Sequence, residues 1–322
     1  MDQLIGKVAP PGSTIGIVTP GSPPESRAEV QRGIAWWHEQ GYEVKLLPGA
    51  LERDDWHAGS PGIRASDIQQ AFADPEIDAI QTMRGGYGSA QVIPLLDLDA
   101  IVASPKAFIG LSDITALHVA FNQRGLATFY GPSLTMVGDP SPPSFTTDRL
   151  LSVLAGETTG VVPPDTDRLT VISISPGRAS GRLLGGCLGD FIYTIGTPWE
   201  IDLTDSILFF EETGIAPIRL DRALLYLEQI GKLHGVRGIV VGELAGSEWH
   251  EFTSSPRSKT QEEVIEGRLG HLGVPILYGL PLGHGPTLAT LPLGVADGFH
   301  HARVLALAGV RRYLSRPIRN RV

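Results

Sequence analysis

In the first part of the chain, segments with the apolar pattern of strands alternate with segments that have the apolar spacing of helices. Short β-branched and apolar runs, which indicate buried strands, occupy residues 14–19, 42–47, 78–83 and 107–111. Segments whose apolar residues recur at helical spacing lie between them, at 25–40, 63–73 and after residue 112. This alternation predicts a parallel sheet with helices on both faces. Ligands bind such sheets where the carboxyl ends of the strands meet the loops.

The pattern changes after Tyr130. Residues 138–147 are rich in proline and serine, which is typical of a linker, and a short helix is expected at 148–155. We therefore expect an N-terminal α/β domain over residues 1–137, followed by a linker with a short helix over 138–169.

From about residue 170 the chain is richer in short strands and glycine, which predicts a C-terminal domain over residues 170–322. Its clearest helix covers residues 219–231 and ends at a glycine. The apolar residues expected on one stripe of this helix are Leu220, Leu224, Leu227 and Ile230.

Composition narrows the functional class. The chain has 322 residues, 42% hydrophobic and 19% charged, as in an ordinary folded domain protein, and its net charge of −9 argues against nucleic acid or an anionic membrane as partner. The single cysteine, Cys187, excludes an intrachain disulfide. No secretory signal and no apolar run of about 20 residues is visible, so we expect a cytoplasmic location. Five arginines within 311–321 are expected to form a solvated terminus.

The turn at Ser112–Asp113 follows the apolar run 107–111 and opens a helix. Two interpretations are open. Ser112 is a nucleophile exposed at the sheet edge, or it is the N-cap of the next helix, with Asp113 complementing the helix dipole. The stretch does not fit G-x-S-x-G, because Ile114 stands where the second glycine is required.

The sequence RGGYG at 84–88 follows the preceding strand and therefore lies at the same sheet edge. It lacks the Gly-Lys-Ser/Thr of a phosphate loop and does not match G-x-G-x-x-G. Its backbone N–H groups are accessible enough to hold an oxyanion, and a purely structural tight turn is the alternative.

Three further candidates come from the second half of the chain. Glu211 and Glu212 end an apolar run, and because neighbouring strand residues point to opposite faces, only one of them can face a given site. His284 lies between two glycines on an expected loop, unlike a core histidine. No cluster has the spacing of metal ligands, since Trp249-His250-Glu251 lacks a second histidine, so no metal and no cofactor are expected.

Cys187 is a competing nucleophile, because GGCLG at 185–189 formally fits G-x-C-x-G. The run before it, ASGRLL, carries Arg182 and is a poorer buried strand than residues 107–111. We interpret Cys187 as a small buried residue in a tight turn.

Five stretches in this order resemble the LD-carboxypeptidase family of serine peptidases, which includes the microcin C immunity peptidases. The matching stretches are RGGYG (84–88), IGLSDITALH (109–118), GRLLGGCLGDFIYTIGTPWEID (181–202), LFFEETGIAPIRLDR (208–222) and GHGPTLATLPLG (283–294). The resemblance implies an N-terminal flavodoxin-like parallel-sheet domain and a C-terminal β-rich α+β domain of the swivelling type, with the active site between them. One departure is Cys187, where many members have asparagine.

Carried over to this chain, the resemblance implies a triad of Ser112 as nucleophile, His284 as base and Glu211 as orienting carboxylate. The oxyanion would be met by the amide of Asp113 and by one from Gly85 or Gly86. Arg84 is a weaker candidate, for binding a substrate carboxylate.

The implied activity is that of a metal-independent serine carboxypeptidase that hydrolyses the amide bond to a C-terminal D-amino acid, the LD-bond of murein tetrapeptide in cell-wall recycling. The expected partner is a small peptide substrate, and family members are commonly homodimers. Two alternatives stay open. The chain is an immunity-type peptidase that cleaves peptidyl- or aminoacyl-nucleotide conjugates, with an aromatic such as Trp199 stacking on the base, or it is a non-catalytic anion-binding α/β protein.

Overall fold

The computed structural model describes residues 6–157, 171–246 and 259–294, together with the backbone of 302–306. The strands in this part of the chain form two six-stranded sheets. The arginine-rich segment 311–321 and the tripeptide Trp249-His250-Glu251 lie outside the described residues.

In chain order the described strands are β1 (Thr14–Val18), β2 (Glu43–Leu46), β3 (Ala79–Thr82), β4 (Ala107–Gly110), β5 (Thr128–Tyr130), β6 (Ile172–Ser175), β7 (Gly177–Cys187), β8 (Ser206–Thr213), β9 (Gly238–Ala245), β10 (Ile276–Tyr278), β11 (Leu291–Leu293) and β12 (Ala302–Ala306). The α-helices are α1 (Arg27–Glu39), α2 (Pro61–Ala73), α3 (Ser89–Val92), α4 (Leu98–Ala103), α5 (Thr115–Gln123), α6 (Leu134–Val137), α7 (Ser144–Leu154), α8 (Leu188–Ile192), α9 (Pro217–Gln229) and α10 (Gln261–Leu269). Single 3₁₀ turns cover Ile93–Leu95, Ser112–Ile114 and Gly270–Leu272.

The first sheet has the strand order β11-β5-β4-β3-β1-β2. Its strands β1 to β5 pair in parallel, as the strand–helix alternation predicted. Apolar side chains of α1, α6 and α7 pack on one face, and those of α2, α4 and α5 pack on the other. The carboxyl ends of β3 and β4 are therefore adjacent, which brings the RGGYG turn beside the Ser112 turn.

The second sheet has the strand order β12-β7-β8-β9-β10-β6. The four central strands are parallel, and both edge strands, β6 and β12, are antiparallel to their neighbours. Helices α8, α9 and α10 cover one face. The predicted fold class, a parallel-sheet domain followed by a second strand-rich domain with helices, is confirmed.

The opposite face of the second sheet packs on the first domain. Alternate strand residues such as Leu183, Ile207 and Phe209 contribute to a buried cluster that also contains Leu111 and Tyr130. Burying one side chain of this size contributes about 1.5–3 kcal/mol. The two domains therefore share an apolar core, and the carboxyl edge of the first sheet is part of it.

Strand β11 joins the two domains a second time. It follows the His284 loop and returns to the first sheet, where Leu291 pairs with Tyr130 in an antiparallel ladder. The loop that carries His284 is thus anchored in the second domain on one side and in the first sheet on the other. The domain bounds 1–137 and 170–322 stay a prediction. Strand β11 lies in the first sheet although it follows the strands of the second sheet in sequence.

Two predictions about individual helices, α9 and α7, are wrong. The helix expected at 219–231 is α9, whose Leu220, Leu224 and Leu227 are buried as predicted, but Ile230 lies beyond its last turn and is 43% exposed. The expected linker 138–147 already contains the start of α7, which begins at Ser144 after Pro143. Proline and serine are common at helix starts as well as in linkers, so composition alone placed this boundary too late.

Candidate active site

Ser112 lies at the turn between β4 and α5 in a left-handed conformation, with φ of 64°. A residue with a side chain in this conformation is strained by about 1–2 kcal/mol. Its backbone N–H donates to the hydroxyl of Tyr130 at 3.0 Å. No side-chain cap hydrogen bond is present at this turn or at the start of α5, so the interpretation of Ser112 as an N-cap is wrong.

Asp113 holds the neighbouring glycine-rich turn in place. Its buried carboxylate accepts the backbone N–H groups of Gly88, at 3.2 Å, and Ser89, at 2.8 Å. Burial raises the pKa of Asp113 even though these hydrogen bonds oppose the shift. The carboxylate therefore stabilises the start of α3 rather than the dipole of its own helix, which corrects the expectation from sequence.

Gly85 lies directly against the serine. A Cβ atom at this position would come 2.8 Å from Cβ and 3.2 Å from Oγ of Ser112, so only glycine fits beside the hydroxyl. Gly86 has a φ of 96°, which also favours glycine. Within the described part of the chain, the amides of Gly85 and Gly86 have no hydrogen-bond acceptor. They are available to a ligand at Ser112.

Glu211, which is buried, and His284, which is half-buried, form a hydrogen-bonded pair in the second domain. Glu211, near the end of β8, is 0% exposed and faces the first domain, whereas Glu212 turns the other way and accepts the amide of Gly189. Oε2 of Glu211 is 2.8 Å from Nδ1 of His284 and also accepts the backbone N–H of His284 at 3.2 Å. An ionised carboxylate only accepts hydrogen bonds, so Nδ1 carries the proton and Nε2 is left free to accept one.

The charge state of His284 follows from this contact. Burial lowers the pKa of the imidazole, but the hydrogen bond and the charge of Glu211 outweigh burial, so the pKa is raised above its ordinary value of 6.5. Glu212 and Asp190 add to this effect.

The glycines on either side of His284 allow this approach. Gly283 has a φ of 106°, and a Cβ atom there would come 2.1 Å from Oε2 of Glu211. A Cβ atom on Gly285 would come 1.8 Å from Oε2 of Glu243. The GHG sequence therefore lets the loop lie directly on two carboxylates.

Two residues of the site were missed from sequence. The hydroxyl of Tyr130, which accepts the N–H of Ser112, donates to Oε1 of Glu211. Glu243 on β9 has a buried Oε1 atom that finds no hydrogen-bond partner among the described residues, and burial, followed by the charge of Glu211, raises the pKa of Glu243 to about 7. The signal that could have identified them is their position next to the strands that carry the predicted site residues. Tyr130 ends a strand beside β4, and Glu243 lies on the strand beside β8.

The predicted residues thus come together in two direct pairs and one indirect connection. Ser112 contacts Gly85, and Glu211 contacts His284. Among the described residues, the hydroxyl of Tyr130 joins the backbone of Ser112 to Glu211.

Cys187 is buried at the end of β7, and its Sγ lies 3.4 Å from Oε1 of Glu212. Burial raises the pKa of its thiol, and the nearby carboxylates of Asp190 and Glu211 raise it further. The nucleophilic thiolate is therefore strongly disfavoured. The interpretation of Cys187 as a small buried residue is confirmed.

Arg84 and Trp199 are the two weaker candidates. Nη1 of Arg84 pairs with Oε1 of Glu25 at 3.1 Å. Trp199 lies near the C-terminal end of α5, where the side chain of Gln123 donates to the flanking carbonyls of residues 198 and 200. Ser112 precedes the N-terminal end of the same helix, which is roughly 13 Å long for nine residues. This placement does not support Trp199 as a stacking partner for a ligand at Ser112.

Within the described ranges, no group of three or more His, Cys, Asp or Glu side chains is arranged to hold a metal ion. None of the helices in the same ranges is long and apolar enough to cross a membrane.

The sequence and fold also match known proteins. The family model of the LD-carboxypeptidase N-terminal domain matches residues 15–131, and that of the LD-carboxypeptidase C-terminal domain matches residues 180–296. A probable murein peptide carboxypeptidase of Bacillus subtilis (strain 168) is 33% identical over 307 residues, which cover 93% of each chain.

Two solved structures share the whole architecture. The structure of MccF in complex with glutamyl sulfamoyl guanosine has a TM-score of 0.80 at 26% identity, and the match covers 91% of this chain and 94% of that one. The muramoyltetrapeptide carboxypeptidase from Oxalobacter formigenes has a TM-score of 0.75 at 26% identity, with 87% and 93% covered. The matching family models and the Bacillus relative show that this chain belongs to the LD-carboxypeptidase family.

Proposed function

We propose that this chain is a serine-type carboxypeptidase that hydrolyses the amide bond to a C-terminal D-amino acid, the LD-bond of murein tetrapeptide. The observation that carries the proposal is the hydrogen-bonded Glu211–His284 pair, connected through one hydroxyl to the strained turn of Ser112. Relatives named murein peptide carboxypeptidase and muramoyltetrapeptide carboxypeptidase support the substrate. Membership of the family supports the assignment as a hydrolase. That this hydrolase uses a serine nucleophile is our proposal.

In the acylation step, Oγ of Ser112 attacks the carbonyl carbon of the scissile amide and its proton passes to Nε2 of His284. Glu211 keeps Nδ1 protonated and stabilises the imidazolium that forms. His284 then gives the proton to the departing amine, so the C–N bond breaks and the free D-amino acid leaves. The rest of the peptide stays attached to Ser112 as an ester.

The tetrahedral intermediate places a negative charge on the former carbonyl oxygen. The amide of Asp113 and one amide of the Gly85–Gly86 turn are the donors we assign to it. Two observations support this assignment. Within the described residues the amides of Gly85 and Gly86 donate to no acceptor, and Gly85 lies close to Ser112. Loss of one such donor typically costs about 3 kcal/mol of transition-state stabilisation.

In the deacylation step, a water molecule attacks the ester while His284 takes its proton. The proton returns to Oγ of Ser112 as the C–O bond breaks. The shortened peptide leaves with a new C-terminal carboxylate, and the enzyme is restored.

The test is release of D-alanine from murein tetrapeptide, measured by mass spectrometry against a panel of LD- and LL-linked peptides. We expect cleavage of the LD bond by the wild-type protein and none by Ser112→Ala, with unchanged circular dichroism. Turnover by the Ser112→Ala protein would disprove the serine mechanism. Covalent labelling of Ser112 by a fluorophosphonate would separately argue against a non-catalytic anion-binding protein.

A second substrate class comes from the likeness to MccF, whose structure holds glutamyl sulfamoyl guanosine. Acyl-sulfamoyl nucleosides presented beside murein peptides would distinguish an immunity-type peptidase from a cell-wall enzyme. The murein substrate is favoured if its kcat/KM is the higher of the two by tenfold or more.

Arg84 is proposed to bind the terminal carboxylate of the substrate. It must then exchange its present partner, Glu25, for the ligand. We expect Arg84→Ala to raise KM with little change in kcat, and an unchanged KM would remove Arg84 from the site.

The proposal includes a homodimer, as the family resemblance implies, and the cytoplasmic location expected from the sequence. Light scattering of the purified protein and fractionation of the source cells measure these two properties directly.

A further inference from the structure

We propose that Tyr130 is a positioning residue whose hydroxyl holds the nucleophile turn of one domain and the triad carboxylate of the other in a fixed relation. The inference rests on the proposed function of the same site. Its basis is a pair of hydrogen bonds made by one buried hydroxyl.

Tyr130 is the last residue of β5 and is 0% exposed. Its hydroxyl accepts the backbone N–H of Ser112 at 3.0 Å and donates to Oε1 of Glu211. Ser112 lies 18 residues before Tyr130, and Glu211 lies 81 residues after it. One oxygen atom therefore connects the two domains at the point where the proposed reaction takes place.

Only a hydroxyl can make both contacts. Oη has one hydrogen to donate and two lone pairs to accept with, whereas Ser112 offers an N–H and Glu211 offers an acceptor. Burial and the charge of Glu211 keep the pKa of Tyr130 well above 10, so the hydroxyl remains a donor at neutral pH. Phenylalanine has the same ring but neither contact.

The ring is fixed from both domains. It packs edge-on against Phe209 of β8, with centroids 5.2 Å apart, and lies 5.7 Å from the ring of His118 in α5. Nε2 of His118 is in turn 3.0 Å from the carbonyl oxygen of Gly110, which ends β4. The hydroxyl therefore has little freedom to move away from its two partners.

The contact with Ser112 explains how a strained turn persists. The left-handed backbone at φ of 64° is unfavourable for serine, and the hydrogen bond from its N–H helps to hold it. The contact with Glu211 occupies Oε1, which leaves Oε2 for His284. Removing the hydroxyl takes a hydrogen-bond partner from the backbone N–H of Ser112, the proposed nucleophile. It also takes one from Oε1 of Glu211, the proposed orienting group.

The test is Tyr130→Phe, measured for D-alanine release with active-site titration by a fluorophosphonate. The expected result is a fall in kcat of about 10- to 100-fold per titrated site, with KM unchanged within about threefold. A kcat within twofold of wild type, or a change in KM alone, would overturn the proposal.

Tyr42→Phe is the matched control. Tyr42 is also a buried tyrosine of the first domain, but its hydroxyl donates to the backbone carbonyl of Ala9, away from the site. Both variants lose a buried hydroxyl, so an equal fall in kcat per titrated site would show a merely structural effect and contradict a positioning role.

A conservative variant covers the case in which Tyr130→Phe does not fold. Site-specific 3-fluorotyrosine at position 130 keeps the hydroxyl and both hydrogen bonds, and we expect kcat within about threefold of wild type. A fall in kcat of about tenfold or more in this variant would count against the hydroxyl, whether or not the phenylalanine variant folds.

The failure of this inference can be separated from failure of the proposed function. If the wild-type protein releases no D-alanine, the proposed substrate is wrong, yet the rate of Ser112 labelling by fluorophosphonate still reports on Tyr130. We expect that rate to fall about tenfold or more in Tyr130→Phe and to be unchanged in Tyr42→Phe. Equal labelling rates in wild type and Tyr130→Phe would refute the role of Tyr130 alone.

Discussion

Oε2 of Glu211 accepts two N–H groups of His284, that of Nδ1 at 2.8 Å and that of the backbone at 3.2 Å. The double contact fixes both the ring and the loop that carries it. It also determines which ring nitrogen holds the proton, because the carboxylate cannot donate. Nε2 is left as the only nitrogen of His284 able to act as a base.

This pair predicts the pH dependence of activity. The proposed mechanism requires neutral His284, whose pKa is raised above 6.5 because the hydrogen bond and charge of Glu211 outweigh burial, so kcat/KM should fall as pH drops through that raised value. In Glu211→Gln the opposing effect of burial remains, and the acidic limb should move to lower pH. We also expect kcat to fall about 10³-fold or more, by analogy with other triads. Identical acidic limbs in both proteins would show that Glu211 does not act on His284.

Gly283 predicts a steric effect at the same contact. In Gly283→Ala the new methyl group would lie 2.1 Å from Oε2 of Glu211, so the carboxylate and His284 must separate and activity should be lost. Gly12→Ala is the matched control, because Gly12 has a φ of 96° but nothing within 4 Å of the added Cβ. We expect both variants to lose stability from backbone strain, by about 1 kcal/mol, and only Gly283→Ala to lose D-alanine release. Equal activity in the two variants would contradict the contact.

The conformation of Ser112 predicts a trade-off between stability and activity. Ser112→Gly and Ser112→Ala both remove the hydroxyl, but only glycine adopts a φ of 64° without strain. We therefore expect Ser112→Gly to be more stable than Ser112→Ala by about 1 kcal/mol in urea unfolding, with both variants inactive. An alanine variant as stable as the glycine variant would mean that the turn is not strained in solution.

Glu243 predicts a pH-dependent stability. Burial, followed by the charge of Glu211, raises the pKa of Glu243 from 4.5 to about 7, so the folded state holds a proton that the unfolded state releases earlier. The contribution of Glu243 to stability should therefore fall as pH rises from 4.5 to about 7, and Glu243→Gln should lack this contribution. Because the side chain is partly solvated, we expect a modest effect.

The measurement is Tm by calorimetry from pH 4.5 to 8. The difference between Glu243→Gln and wild type should grow by about 2 °C across this range and then level off. The value at pH 4.5 serves as the internal control, since both proteins are then neutral at this position. A Tm difference that does not change with pH would show that the pKa of Glu243 is not raised in the folded protein.

The sequence by itself determined four of the six strands of the first sheet, β1 to β4, and missed β5 and β11. The expected strands 14–19, 78–83 and 107–111 correspond to Thr14–Val18, Ala79–Thr82 and Ala107–Gly110. Apolar periodicity is a local property of consecutive residues, so it can be seen without knowing the fold. The RGGYG turn, Ser112, Glu211 and His284 were likewise found from short motifs and their order along the chain.

Only the tertiary structure decided how these residues relate to one another. The hydrogen bond between Tyr130 and Glu211 joins residues 81 apart, and that between Glu211 and His284 joins residues 73 apart. Neither is implied by local pattern, because both depend on how the second sheet packs on the first and on the return of β11 to that sheet. The left-handed backbone of Ser112 was also hidden, since nothing in the neighbouring residues requires it, and distant contacts such as that with Tyr130 help to hold it.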